Sequence, residues 1–483
     1  FENFDHILKP LPFAAPLANS LVGSYRDVAL NGTQNIRSQA GGISEEINIH
    51  LSDNLILKSL TAYRHMKTDL FNDSDTSELF VQHLQITEED KQFSQEFNLQ
   101  YNSHKLKAVA GLYYFGDSDN QTNFVQVPPS VFTPAPAAAS IQASPQVKTR
   151  SYAAFLQGSY EIVPDLRVTI GARYTYETKS FAQNFVRTSL NPATLGFIPP
   201  PFPIIFALDR KDHAFTPKFG IDYQVSPDVF VYASATRGFK SGGFNNAATN
   251  PLTAGFNPEK IWAYEAGIKT QMLDNRVRFN LTGFYYDYKD LQVRQLIAVA
   301  TAVIKNAANV KVKGVEAEFV AKVTPDLQLT VNAAYIDATY KSFATSSIAA
   351  AYAAYVPNQV CVAGVCTFDA TGNVLDGSPK FSGFAAIDFT PMVGKYRLTV
   401  HADVAWRSKA SFDASNIALA TQPGYSLFNA SRGFGEEHGW RLEAFGRNLT
   451  DKKYYSFLAG NGIAPGGVVG DPRTYGIRAS FQW

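Results

Sequence analysis

The terminal stretch RTYGIRASFQW, residues 473–483, restricts the possible folds more than any other part of the chain. In an extended strand successive side chains point to opposite faces. Tyr475, Ile477, Ala479, Phe481 and Trp483 therefore share one side, and Gly476, Arg478, Ser480 and Gln482 share the other. A water-exposed terminus made of aromatics would fray and invite aggregation. Facing acyl chains at the seam of a closed sheet, the same residues are in their preferred solvent.

The rest of the sequence repeats the pattern. In 166–176, Leu166, Val168, Ile170, Ala172, Tyr174 and Tyr176 alternate with Arg167, Thr169, Gly171, Arg173 and Thr175. In 396–407 an apolar series, Tyr396, Leu398, Val400, Ala402, Val404 and Trp406, alternates with Arg397, Thr399, His401, Asp403 and Arg407. A one-residue slip would turn Arg167 and Arg173 to lipid, at about 2–4 kcal/mol each near the midplane. Such segments are joined alternately by short and long connections. The short ones, at 52–54, 102–104, 163–165, 226–228, 273–275, 324–326, 391–395 and 435–439, are built on Pro-Asp, Asp-Asn and Gly. These residues preset or tolerate turn dihedrals. The long ones lie near 67–90, 117–148, 179–212, 240–258, 341–377, 409–422 and 450–472.

This segregation of loop length predicts an all-β fold, a transmembrane antiparallel β-barrel of about 17 strands, with short periplasmic turns and long extracellular loops. No stretch approaches the roughly 20 apolar residues of a spanning helix. A mean hydropathy of −0.13 is no objection, because half of each barrel strand faces a wet lumen. Phe 36 and Tyr 24 suit strands and membrane interfaces; the cluster Phe284, Tyr285, Tyr286 and Tyr288 reads as part of an aromatic girdle. The division expected is an extracellular segment over 1–40 and a barrel over 41–483. Strand parity places 1–40 outside, and so suggests further strands upstream, since bacterial barrels have an even strand number.

Net charge +1 gives no electrostatic case for nucleic acid. Eight scattered histidines, with no HExxH, P-loop or nucleophile elbow, argue against an enzyme, and no cofactor or metal site is expected. Cys361 and Cys366, in the long loop 341–377, face an oxidising exterior; a disulfide is favoured over half of a metal site, which would need further ligands.

Several segments together resemble one family, the TonB-dependent outer-membrane receptors. They are FVYASATRGFKSGGFN (230–245), YEAGIK (264–269), GVEAE (314–318), NLTDKKYY (448–455) and the terminal 472–483, with LKSLTAYR (57–64) and AGLYYF (110–115). The resemblance implies a 22-stranded, plugged transporter of a Gram-negative outer membrane. It implies a scarce ligand, an iron chelate such as a ferric siderophore or haem, taken up with energy from the TonB complex through a plug. Neither plug nor coupling segment is visible in these residues. Cobalamin or an oligosaccharide is the alternative cargo, and a passive porin-like channel the alternative if no plug exists. Outer-membrane lipid and the barrel assembly machinery are the other implied partners. Tyr475, Ile477, Phe481 and Trp483 match the C-terminal strand by which that machinery recognises its clients.

Arg237, Lys240, Phe244 and Asn245, at the entry to a glycine-rich loop, are the candidate ligand contacts, although the motif reads more readily as architecture. Gly238, Gly242 and Gly243 there are expected to permit turns closed to other residues. Residues 448–455 read as an Asn-centred turn with girdle tyrosines, and Glu265, Glu316 and Glu318 as partners of barrel or plug arginines.

Overall fold

The computed structural model describes residues 32, 34–73, 83–127, 138–190, 197–198, 203–298, 301–349, 355–362, 365–436, 438–460 and 465–482. Among the described residues seventeen long strands carry the fold. The first eight are β1 (Asn35–Ser52), β2 (Leu55–Asp73), β3 (His83–Asn102), β4 (Leu106–Val127), β5 (Ala138–Val163), β6 (Leu166–Leu190), β7 (Ile204–Ser226) and β8 (Val229–Lys240). Then come β9 (Glu259–Met272), β10 (Val277–Ala298), β11 (Thr301–Thr324), β12 (Leu327–Ser342), β13 (Phe381–Phe389), β14 (Tyr396–Arg407), β15 (Tyr425–Glu436), β16 (Gly439–Arg447) and β17 (Thr474–Gln482). Each pairs antiparallel with its neighbours in sequence, so the sheet is one continuous meander. Among the described residues β1 pairs only with β2 and β17 only with β16.

All eight short turns lie at one rim, where the sequence places them. Asp165 takes φ 68°, and Leu273, Asp274 and Asn275 take φ 55°, 54° and 63°. This is the left-handed region that Asp and Asn tolerate best among residues with a Cβ. The opposite rim differs from expectation in two ways. β10 and β11 also meet end to end there, with Ala298 opposite Thr301. And 67–90, 117–148 and 179–212 are mostly paired strand: Asp73 sits opposite His83, Val127 opposite Ala139, and Leu190 opposite Ala138. Above a membrane both faces of a hairpin meet water, so these residues need no apolar alternation and hide their strands from a period-two reading. The first strand also starts at Asn35, ahead of the expected boundary at 41, with Ile36 opposite Leu70 and Ala40 opposite Met66.

Register fixes the two faces, since directly opposed residues point the same way. One row runs Ile47, Ser59, Phe97, Leu112, Ala154, Tyr174, Phe215. A second runs Gly158, Ile170, Phe219, Ala235, Tyr264, Tyr285. Leu112, Ile170, Tyr174, Phe215 and Phe219 expose half or more of their surface. This is the band that faces hydrocarbon. Polar groups on it bond to one another, as Gln95 does with Thr61 (2.6 Å) and Ser59 (3.0 Å). Tyr475, Ile477 and Phe481 stand on the same outward face, 68%, 76% and 65% exposed, with Phe481 opposite Trp440. Trp483 lies outside the described residues.

The inward face carries Arg167, Arg173, Glu316 and Glu318. The aromatic cluster splits between the faces. Tyr285 points outward in line with Tyr264, whereas Phe284, Tyr286 and Tyr288 point into the lumen, where the Tyr286 hydroxyl donates to Glu265 at 2.7 Å. Strand periodicity forbids a run of consecutive residues from serving one girdle. With only one layer of wall, the closest packing lies where the connections of the long-loop rim fold back on it.

Candidate ligand vestibule at the long-loop rim

Two folded bodies rest on the lumen side of the strand extensions. The first is the connection 241–258, docked on β6 and β7. Lys179, paired with Glu177, donates to the Ser241 hydroxyl at 2.6 Å and the Gly242 carbonyl at 2.9 Å. Arg210, held by Asp212 through bonds of 2.8 and 2.7 Å, donates to the Phe256 carbonyl at 2.5 Å. The Gln183 amide, fully buried, donates to Asn246 and Ala248 carbonyls at 2.8 and 3.1 Å. Phe181 stacks on Phe244 with centroids 4.9 Å apart.

Glycine at 242 is needed for a different reason from the one expected. Its φ is not positive; a Cβ would instead lie 2.3 Å from the Arg210 guanidinium and 2.4 Å from the Phe256 carbonyl. Close approach, not a special turn, excludes a side chain.

The second body sits on β10, β11 and β12. Connections 343–380 and 408–424 bring Phe343, Val356, Cys366, Phe368, Ala370 and Leu419 against Ala308, Val310 and Tyr340 of the strands. Asn416 binds both polar groups of Val374, accepting from its N–H at 2.8 Å and donating to its carbonyl at 3.0 Å. A side-chain amide here stands in for a strand partner. Cys361 and Cys366 face each other across a short hairpin and are bonded, S–S 2.02 Å, Cα–Cα 3.9 Å. The Tyr340 hydroxyl donates to Asp376, and burial pushes the Asp413 carboxyl above its ordinary range, partly opposed by bonds from Ser415.

The four candidate ligand contacts are dispersed. Lys240 ends β8 on the lumen side and is exposed. Phe244 is committed to Phe181. The Asn245 side chain, 7% exposed, donates to the Ala254 and Ile304 carbonyls at 3.1 and 3.2 Å and accepts from the Ile304 N–H at 2.7 Å, clamping the connection to β11. Arg237 is opposite Trp262 on the outward face, away from the lumen. Its position follows from counting alternate residues out from Phe219 and Ala235.

Lower on the lumen wall, His401 bridges Asp388 (2.8 Å) and Asp403 (3.0 Å), and Asp403 accepts from Asn429 at 2.7 Å. Asn429 in turn accepts from the Asn448 N–H at 3.0 Å. Asn448, φ 46°, closes the turn read from the sequence: its amide donates to the Lys452 and Asp471 carbonyls, both at 3.0 Å. Every member of this chain of bonds is occupied by its neighbour, and no hydroxyl or thiol nucleophile takes part. Among the described residues no cluster of three or more His, Cys, Asp or Glu could hold a metal ion.

An antiparallel wall with an apolar outside, a polar inside and folded bodies at one mouth defines a large transmembrane β-barrel receptor. The chain belongs to the TonB dependent receptor-like, beta-barrel family, whose model matches residues 3–449. That family is one of receptors and not of enzymes, and its members are β-barrels of Gram-negative outer membranes. Over 135 residues the chain is 33% identical to the metal-pseudopaline receptor CntO of Pseudomonas aeruginosa, a match covering 27% of this chain and 17% of CntO. Over 273 residues it is 24% identical to the ferric-pyoverdine M114 receptor PbuA of a Pseudomonas species, covering 55% of this chain and 29% of PbuA. The fold resembles that of the ferric yersiniabactin uptake receptor FyuA from Yersinia pestis, with TM-score 0.75 and 17% identity over 95% of this chain and 65% of FyuA. The chain thus spans less than two thirds of each.

Proposed function

We propose that this chain is the barrel wall of an outer-membrane receptor that takes up a metal chelate of the ferric-siderophore type, energised by TonB through a plug. The long-loop rim faces the outside and the short turns the periplasm. The observation that carries the reading is the pair of folded bodies on the lumen side of the mouth: they narrow the entrance with ordered, hydrogen-bonded surface, as a selective receptor needs and an open pore does not. Relatives named for metal-pseudopaline and ferric-pyoverdine support the ligand class. A complex of another metal is the second reading, because CntO is named for metal-pseudopaline without naming iron. Assembly would proceed from the outward-facing Tyr475, Ile477 and Phe481 of the last strand.

The test is uptake of radiolabelled ferric chelates, with cobalt and nickel chelates in parallel, by cells carrying or lacking the gene in tonB-positive and tonB-negative backgrounds. Accumulation that needs both genes is expected. Gene-dependent entry that persists without tonB would sink the energised reading and favour a passive channel.

A further inference from the structure

The outward face of β8–β12 carries more positive charge than a lipid-facing wall needs. Working along opposed pairs, Arg237 lies beside Trp262, and Lys260 joins Phe239 to Lys289. Lys311 lies beside Asp287, and Lys313 joins Tyr285 to Asp337. Lys341 follows two residues beyond Thr339, the partner of Lys311. Six cations against Asp287 and Asp337 thus share one patch five strands wide, about 20 Å at ordinary strand spacing. Of these six, Lys313 is ion-paired among the described residues, to Asp337 at 3.2 Å, while Lys260, Lys289 and Lys341 are exposed.

The height of the patch is set by aromatics. Trp262, Tyr264, Tyr285 and Tyr335 point outward from the same strands; Trp262 stacks on Tyr264 at 5.9 Å, and Tyr264 meets Tyr285 at 6.2 Å. Such rings sit where hydrocarbon gives way to headgroups. Lys260, Lys289 and Lys341 lie on the long-loop side of the belt, and Lys311 is level with Trp262. A two-residue step along a strand is about 7 Å, which puts the nearest of them at headgroup depth. Lys311 spans the border, its ammonium 6.0 Å from the Tyr285 ring centroid. Cations at that depth attract anionic headgroups.

We propose that this face is a docking site for the phosphates of an anionic glycolipid in the surrounding leaflet. The inference rests on the outer-membrane orientation proposed above. It is tested on the full-length protein in detergent and in lipid nanodiscs, using diphosphorylated lipid A, its dephosphorylated form and inorganic phosphate as probes, with retention counted by native mass spectrometry. Diphosphorylated lipid A is expected to bind at least about tenfold more tightly than the dephosphorylated form. The preference should vanish in the Lys260→Gln, Lys289→Gln, Lys311→Gln, Lys341→Gln variant, and excess inorganic phosphate should not displace the lipid.

Equal retention of the two lipids by the unmodified protein overturns the proposal, and this arm does not depend on the variant folding. So does an unchanged preference in a folded variant, or displacement by free phosphate. A protein that never enters nanodiscs would instead overturn the membrane reading. Insertion without phosphate preference overturns only the docking site and leaves metal-chelate uptake standing.

Discussion

Replacing Asn245 by alanine separates two roles that the sequence leaves open. The side chain makes three hydrogen bonds, and the bond from the Ile304 N–H, at 2.7 Å, is the shortest. Removing it orphans that donor, while the Ala254 carbonyl keeps its bond from the Asn245 backbone N–H at 2.8 Å. A buried bond is worth about 1 kcal/mol net and an orphaned donor costs about 1–3 kcal/mol, so the connection should open about 2–3 kcal/mol more easily. At about 1.4 kcal/mol per factor of ten, amide exchange over 241–258 should speed up by about 30- to 150-fold. Exchange in β15 and β16, which pair with each other on another part of the wall, should not change. Hydrogen–deuterium exchange read by mass spectrometry on the detergent-solubilised protein measures both. Unchanged exchange over 241–258 with weakened chelate binding would refute the clamp and make Asn245 a ligand contact.

Three further outcomes are expected. Deleting residues 481–483 should abolish outer-membrane assembly, since Phe481 is the outward partner of Trp440 at the end of the last ladder; normal levels of the truncated protein in membrane fractions would contradict this. The double change Cys361→Ser, Cys366→Ser should leave the heat-modifiable mobility of the barrel intact and raise exchange only around 355–368, because the bond closes a hairpin outside the main sheet. Asp413 binds its proton more tightly when buried, so its contribution to the second body is fully present below the unfolded carboxyl pKa and is lost as pH rises through the raised folded value. Asp413→Asn should therefore slow opening of 408–424 at pH 7 and flatten its pH dependence; steeper dependence in the variant would show the sign to be wrong.

The wall was legible in the sequence where chemistry differs across it. Leu166, Val168 and Ile170 alternate with Arg167 and Thr169 because one face meets hydrocarbon and the other water, and Pro164-Asp165 marks the turn below. Where both faces are wet, as in the upper parts of β5 and β6, only the backbone ladder defines the strand, and single-sequence periodicity has nothing to detect. The binding candidates failed to cluster for a related reason. Arg237 and Lys240 are neighbours in sequence, but an odd separation puts them on opposite faces; counting from Phe219 through Ala235 is what reveals it, and that pairing is not written in the sequence. The contacts made by Asn245 and Asn416 join segments 59 and 42 residues apart, and no local pattern announces them.

The length of β5 has a consequence for capture. Its 26 residues extend about 86 Å at 3.3 Å per residue, and a tilted strand needs about 9–11 residues to cross a bilayer. More than half of it is therefore a hydrogen-bonded palisade standing clear of the membrane, with 241–258 pinned to the neighbouring staves. A solute arriving there would meet a mouth already tied by hydrogen bonds, and little chain freedom would have to be surrendered to hold it. On the uptake function proposed above, capture of a dilute cargo would then be a property of the standing architecture, with folding upon contact playing little part.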